Sequence, residues 1–161
     1  MRAIVLLLSA IVMACGAGSA LAAIELSTDH RPVAFGLVQL GEERTLAQLG
    51  SFHNEITCTS TDGRAWYLKI SLLSPLSSGA ETIPIERLGW QLVSSTGRGT
   101  VTRPNTFTPF SLIPDLVYVS NPDEAAGVPL TFRFAYSLAV PEEQVSGIYQ
   151  TTIRFTLTEL L

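Results

Sequence analysis

The chain of 161 residues carries 14 acidic against 10 basic side chains, a formal net charge of −4, and charged residues make up only 15% of it. The acids are scattered, and a mildly acidic surface without a basic patch excludes nucleic acid and anionic lipid headgroups as partners. This length suits one domain with a full core and leaves no room for a second sizeable one.

Residues 1–22 read as a signal peptide. Arg2 is a minimal positive start, residues 4–13 are an apolar run far too short to span a bilayer, and Ala20-Leu21-Ala22 is a small-x-small cleavage site before Ala23. A lipoprotein reading, with Val12-Met13-Ala14 before a lipidated Cys15, competes, but Met13 fits that pattern poorly. Either route takes a single mature domain, residues 23–161, out of the cytoplasm to the cell surface or the periplasm. No later run is long and apolar enough for a transmembrane span. Loss of Arg2 takes the mature net charge to about −5. Only Cys58 survives cleavage, which excludes an intramolecular disulfide; its phase with Ile56 predicts a buried, inert thiol.

Residues 23–32 read as a loose lead-in or an edge strand, with Ile24 and Leu26 as the apolar positions. Residues 33–40 are expected as a strand interrupted by Gly36, a position suited to a bulge. Gly41-Glu42-Glu43 marks a turn, and 45–49 a short strand or helical turn. Residues 54–73 look like a hairpin: Ile56 and Cys58 lead up to Asp62-Gly63, a type I′ turn signal, and Trp66, Leu68, Ile70 and Leu72 lead away on the inner face. Residues 74–80 read as a loop, and 82–85 as a short strand that Pro84 confines to an edge. Leu88, Trp90 and Leu92 form another inward set. Residues 100–114, broken by Pro104, Pro109 and Pro114, are the longest irregular stretch, tacked to the body by Phe107 and Phe110. A short strand at 116–119 precedes a turn region at 120–127.

The two cleanest alternations come last. Leu130, Phe132, Phe134, Tyr136, Leu138 and Val140 face in, with Thr131, Arg133, Ala135, Ser137 and Ala139 facing out. After Pro141, residues 147–158 repeat the pattern, with Tyr149, Thr151, Ile153, Phe155 and Leu157 inward. Only a few residues separate these strands, so they are expected to pair antiparallel. Eight to ten strands with turn signals and almost no helical patterning predict an all-β, immunoglobulin-like antiparallel two-sheet sandwich after the signal peptide.

The C-terminal run resembles a known family. Val140-Pro141, a short acidic loop, and Ser146-Gly147-Ile148-Tyr149, with Tyr149 six residues before Phe155-Thr156-Leu157, look like the closing motif of WxL-domain surface proteins, with Phe in place of the Trp. Asp62-Gly63-Arg64-Ala65-Trp66-Tyr67-Leu68 is similar to that family's distal Trp-x-Leu, and Gly89-Trp90-Gln91-Leu92 is a second candidate. The resemblance implies a secreted, non-catalytic domain attached non-covalently to the bacterial cell surface.

No residue set points to catalysis or to a metal or other cofactor. His30 and His53 lie far apart without ligand spacing, and no Ser sits in a Gly-x-Ser-x-Gly turn beside Asp29-His30. Glu142-Glu143 and Asp123-Glu124 read as solvated loop charges, without the alternating oxygen ligands of a calcium loop. Trp66, Leu68, Trp90, Leu92, Tyr149, Phe155 and Leu157 match the motif but are expected as core residues first. The expected function is a structural or adhesive surface domain that contacts a cell-envelope glycan or other surface proteins through exposed edges and loops. The alternative is a pilus- or coat-like subunit that assembles with itself by strand exchange; it predicts a missing core strand, with 23–30 a poor donor because alternation stops after Leu26.

Overall fold

A computed structural model describes residues 4–8, 24–29, 32–46 and 53–160, the first of these as backbone. In chain order the strands are β1 (Ile4–Leu8), β2 (Ile24–Thr28), β3 (Val33–Val38), β4 (Glu43–Leu46) and β5 (Asn54–Ser60). They continue with β6 (Tyr67–Leu72), β7 (Leu76–Ser78), β8 (Glu81–Ile83), β9 (Leu88–Ser95) and β10 (Thr100–Val101). The last are β11 (Thr108–Pro109), β12 (Asp115–Val119), β13 (Leu130–Ala139), β14 (Ile148–Tyr149) and β15 (Ile153–Thr158). Two short 3₁₀ turns, Ile85–Arg87 and Pro122–Ala125, are the only helical elements among the described residues.

The strands build a β-sandwich. One layer has the order β11-β9-β13-β5-β2, with β4 following β5 along the same edge of β13. The other layer holds β10-β12-β6-β15, and a smaller sheet, β14-β1-β3, packs with them. All pairings are antiparallel except β1 with β14. The inner faces meet in one apolar cluster in which Ile56, Leu68, Phe132, Phe134, Leu138 and Tyr149 are fully buried. Period-2 alternation produces this directly: β5 reads buried at every second residue from Asn54 to Ser60, and β15 does so from Ile153 to Leu157.

Connectivity departs from the expected hairpins in two places. β13 and β15 do not pair. Both edges of β13 are taken, by β9 on one side and by β5 and β4 on the other, so residues 140–147 cross to the opposite layer. β15 pairs with β6 instead, and Phe155 meets Phe134 across the core in a tilted ring pair, centroids 5.0 Å apart. The expected hairpin over 54–73 is likewise a crossing: β5 pairs with β2 and β13, whereas β6 pairs with β12 and β15. Gly63 has φ +74, but Asp62 does not share it, so the turn is not type I′. The Asp62 carboxylate accepts the Arg64 N–H at 3.0 Å instead, an Asx-type corner that lets the chain change sheets.

Smaller differences follow local chemistry. The closing strand is split: Tyr149 lies in β14, and Gln150 bridges to Ser77 before β15 begins. The inward phase survives the break, with Thr151 5% exposed. The stretch expected as a loop at 74–80 contains β7, which forms a hairpin with β8. Within 100–114, β10 and β11 are short strands. Phe110 is buried, whereas Phe107 lies on the outer surface at 36% exposure. Ser71 and Ala135, expected to face outward, are buried.

Candidate functional site: a strand slot at the sandwich edge

β3 and β14 lie on either side of β1, and β1 is their one strand partner among the described residues. β3 buries Val33 and Phe35, then changes phase. Gly36 takes φ +68, reachable there without a Cβ penalty, and the register slips by one residue between the Leu6–Gly36 and Leu7–Ala34 pairs. The bulge is why Leu37 is 59% exposed while Val38 is fully buried. On its other side β3 is fastened by Arg44, whose guanidinium donates to the Phe35 carbonyl at 3.0 Å and pairs with Glu42 at 2.9 Å. The Gln39 N–H, and then Arg44, hold the Glu42 carboxyl below its ordinary pKa.

β14 presents the opposite wall. Tyr149 is fully buried, and its hydroxyl donates to the Val145 carbonyl while accepting from the Gln144 amide, both at 2.7 Å. Neighbouring Ile148 is 55% exposed. Across the slot Val5 opposes Leu37 and Ile148, whose side chains are exposed, and Leu6 opposes Gly36 and Tyr149. Ile4–Leu8 belongs to the segment read as the leader. The expected cleavage site at Ala20–Ala22 and the alternative lipidation residue Cys15 lie outside the described residues.

Of the motif residues Tyr149 alone lies at the slot, and none of them is available to a ligand. Trp66, Leu68, Trp90, Leu92, Tyr149, Phe155 and Leu157 are all buried, none more than 6% exposed. Trp66 packs on Tyr118 and Phe132 with ring centroids 5.6 and 6.1 Å away, and the indole N–H groups of Trp66 and Trp90 have no hydrogen-bond partner among the described residues. Cys58 is buried between β5 neighbours, and burial pushes its thiol pKa far up. Among the titratable groups, the His53 ring reaches the Pro32 carbonyl at 3.0 Å and stands edge-on to Tyr136; His30 lies outside the described residues. No set of three His, Cys, Asp or Glu side chains could hold a metal ion among the described residues.

Glu124 corrects one expectation. It is not a solvated loop charge but is 7% exposed, seated at the start of the 3₁₀ turn Pro122–Ala125. Its carboxylate accepts the Tyr118 hydroxyl at 2.8 Å and the backbone N–H groups of Asn121, Arg98 and Gly99 at 2.8, 2.5 and 3.3 Å. The signal was in the sequence: Asn121-Pro122-Asp123-Glu124 has the spacing of a capping box, with Pro at the first position. Glu142 and Glu143 are exposed.

The comparisons with known proteins add no name: no family model and no curated protein matches the chain.

Proposed function

We propose that the protein is a secreted, non-catalytic structural subunit of the bacterial cell surface that assembles by strand complementation. The observation that carries this is the position of β1. The segment that reads as a removable leader supplies the strand between β3 and β14. Cleavage leaves those two strands with unpaired edges around a slot whose inner walls, Val33, Phe35, Val38 and Tyr149, are apolar. Unpaired backbone groups above an exposed core are a template for an extended segment from another chain.

The donor is β2 of a second copy. It opens the mature chain, has β5 as its one strand partner among the described residues, and places Ile24 and Leu26 half-buried against the core; its in–out alternation, expected to stop after Leu26, runs on to Thr28. A one-sided edge strand costs least to detach. The C-terminal resemblance to WxL-domain proteins supports the surface location and contacts with envelope glycan or other surface proteins.

Size-exclusion chromatography with light scattering on the secreted chain tests this. Cleaved protein is expected as concentration-dependent oligomers, and deletion of Ile24–Thr28 is expected to stop assembly at the monomer. A cleaved, stable monomer at all concentrations would overturn the proposal.

A further inference from the structure

A second feature lies on the outer face of the β9–β13 layer. The 3₁₀ turn Ile85–Arg87, the segment leading into β11, and the start of β4 enclose a cleft of about 170 Å³. Its floor is the cross-strand pair Gly89 and Ser137. A Cβ on Gly89 would lie 2.6 Å from the Ser137 Oγ and 3.8 Å from the Phe107 ring, so the missing side chain is what keeps the floor open. Ser137 is 8% exposed, lines the cleft, and its hydroxyl has no hydrogen-bond partner among the described residues. Unlike the Ser71 hydroxyl, the Ser137 hydroxyl is not sealed in the protein, so it is reached from the cleft. Phe107 forms one wall with its ring partly exposed. Glu43, Glu86 and Arg87 stand at the rim, and no ion pair or side-chain hydrogen bond engages them among the described residues.

We propose that this cleft binds one pyranose unit of an uncharged saccharide. Two carboxylates at the rim repel an anion, and the Arg87 guanidinium beside them opposes a simple cation. A sugar ring matches the whole set. Its hydroxyls donate to the carboxylates, accept from the guanidinium and exchange both roles with Ser137, while its C–H face covers Phe107. A cleft of 170 Å³ is small beside pockets for larger ligands, which fits a single ring rather than a long chain. The saccharide reading rests on the proposed contact with envelope glycan; the cleft residues come from β4, β9, β13, the 85–87 turn and the segment leading into β11 and not from β3 or β14, so failure here and failure of strand assembly are read separately.

Saturation-transfer NMR on the secreted protein tests it, with methyl β-D-glucopyranoside, methyl α-D-mannopyranoside and N-acetyl-D-glucosamine as probes at millimolar concentration. Transfer to the ring protons of at least one probe is expected. Phe107→Ala and Ser137→Ala, each checked for an unchanged melting curve, are expected to weaken binding by about tenfold, a loss of about one good contact. Ser137→Ala removes no packing atom beyond the hydroxyl, so it tests the site even where Phe107→Ala unfolds. No transfer to any probe, or equal transfer in both variants, overturns the proposal. So does competition of the signal by ethylammonium, which would make the cleft an amine site.

Discussion

Replacing Glu124 by Gln probes the buried carboxylate that ties the 98–99 corner, β12 and the 3₁₀ turn together. The carboxylate receives three backbone N–H groups and the Tyr118 hydroxyl, all within 3.3 Å. Gln keeps the shape but turns one acceptor oxygen into an NH₂ aimed at donors. Hydrogen bonds to a charged group contribute about 1.5–3 kcal/mol, and stranding one or two N–H donors puts the cost of the variant at about 2–3 kcal/mol at neutral pH. For a chain of this size that lowers Tm by roughly 5–10 °C. Tyr118→Phe, which removes one donor and leaves the carboxylate in place, is expected to cost about 1 kcal/mol. The pH dependence has a definite sign. Burial alone would raise the Glu124 pKa, but the Asn121 and Arg98 N–H groups and the Tyr118 hydroxyl outweigh it and hold the folded value below 4.5. A depressed folded pKa contributes stability that is complete above the unfolded value and is lost as pH falls through the folded one. The Tm gap between wild type and Glu124→Gln is therefore full above pH 4.5 and closes below it, as differential scanning calorimetry from pH 7 down to pH 2.5 would record. A gap of under about 1 °C at neutral pH, or one that does not change with pH, would refute the account of this network.

Two further outcomes follow from the core. Phe155→Ala removes a ring that is 1% exposed and 5.0 Å from Phe134, and is expected to cost about 3–5 kcal/mol by urea titration, whereas Arg154→Ala on the outer face should stay within about 0.5 kcal/mol. Cys58, fully buried with its pKa raised by burial, should resist a thiol reagent in the native protein and react only in denaturant; fast native labelling would contradict its placement.

Which residues face the core was legible, because the period of two is a property of each strand alone. Phe132, Phe134, Tyr136 and Leu138 on β13 and Phe155 and Leu157 on β15 are buried as the alternation requires. Which strands pair was not legible. An amphipathic strand shows the same alternation whether its neighbour in sequence lies beside it or across the core, and at β13 both edges were already filled by β9, β5 and β4. The Asp62-Gly63 signal located a turn but not its type, since the Asp62 side chain chose a corner over a hairpin. Gly36 was readable as a bulge; the consequence, Leu37 out and Val38 in, needed the register. The slot was not readable, because the apolar run at 4–8 carries a complete explanation as a leader and its pairing with β3 and β14 leaves no local pattern. The cleft was missed for a related reason. Gly89, Ser137 and Phe107 come from three separated stretches, and only the sheet brings them together.

The central claim is that cleavage opens the β3 and β14 edges to a strand from another copy. Hydrogen–deuterium exchange read by mass spectrometry measures this directly, comparing monomer and assembled fractions of the secreted chain. The amides of Val33–Val38 and Ile148–Tyr149 should exchange rapidly in the monomer and be protected in the assembly, while those of Leu130–Ala139 stay protected in both. Equal protection of Val33–Val38 in a cleaved monomer would show that the sandwich closes without a partner, and would contradict the account.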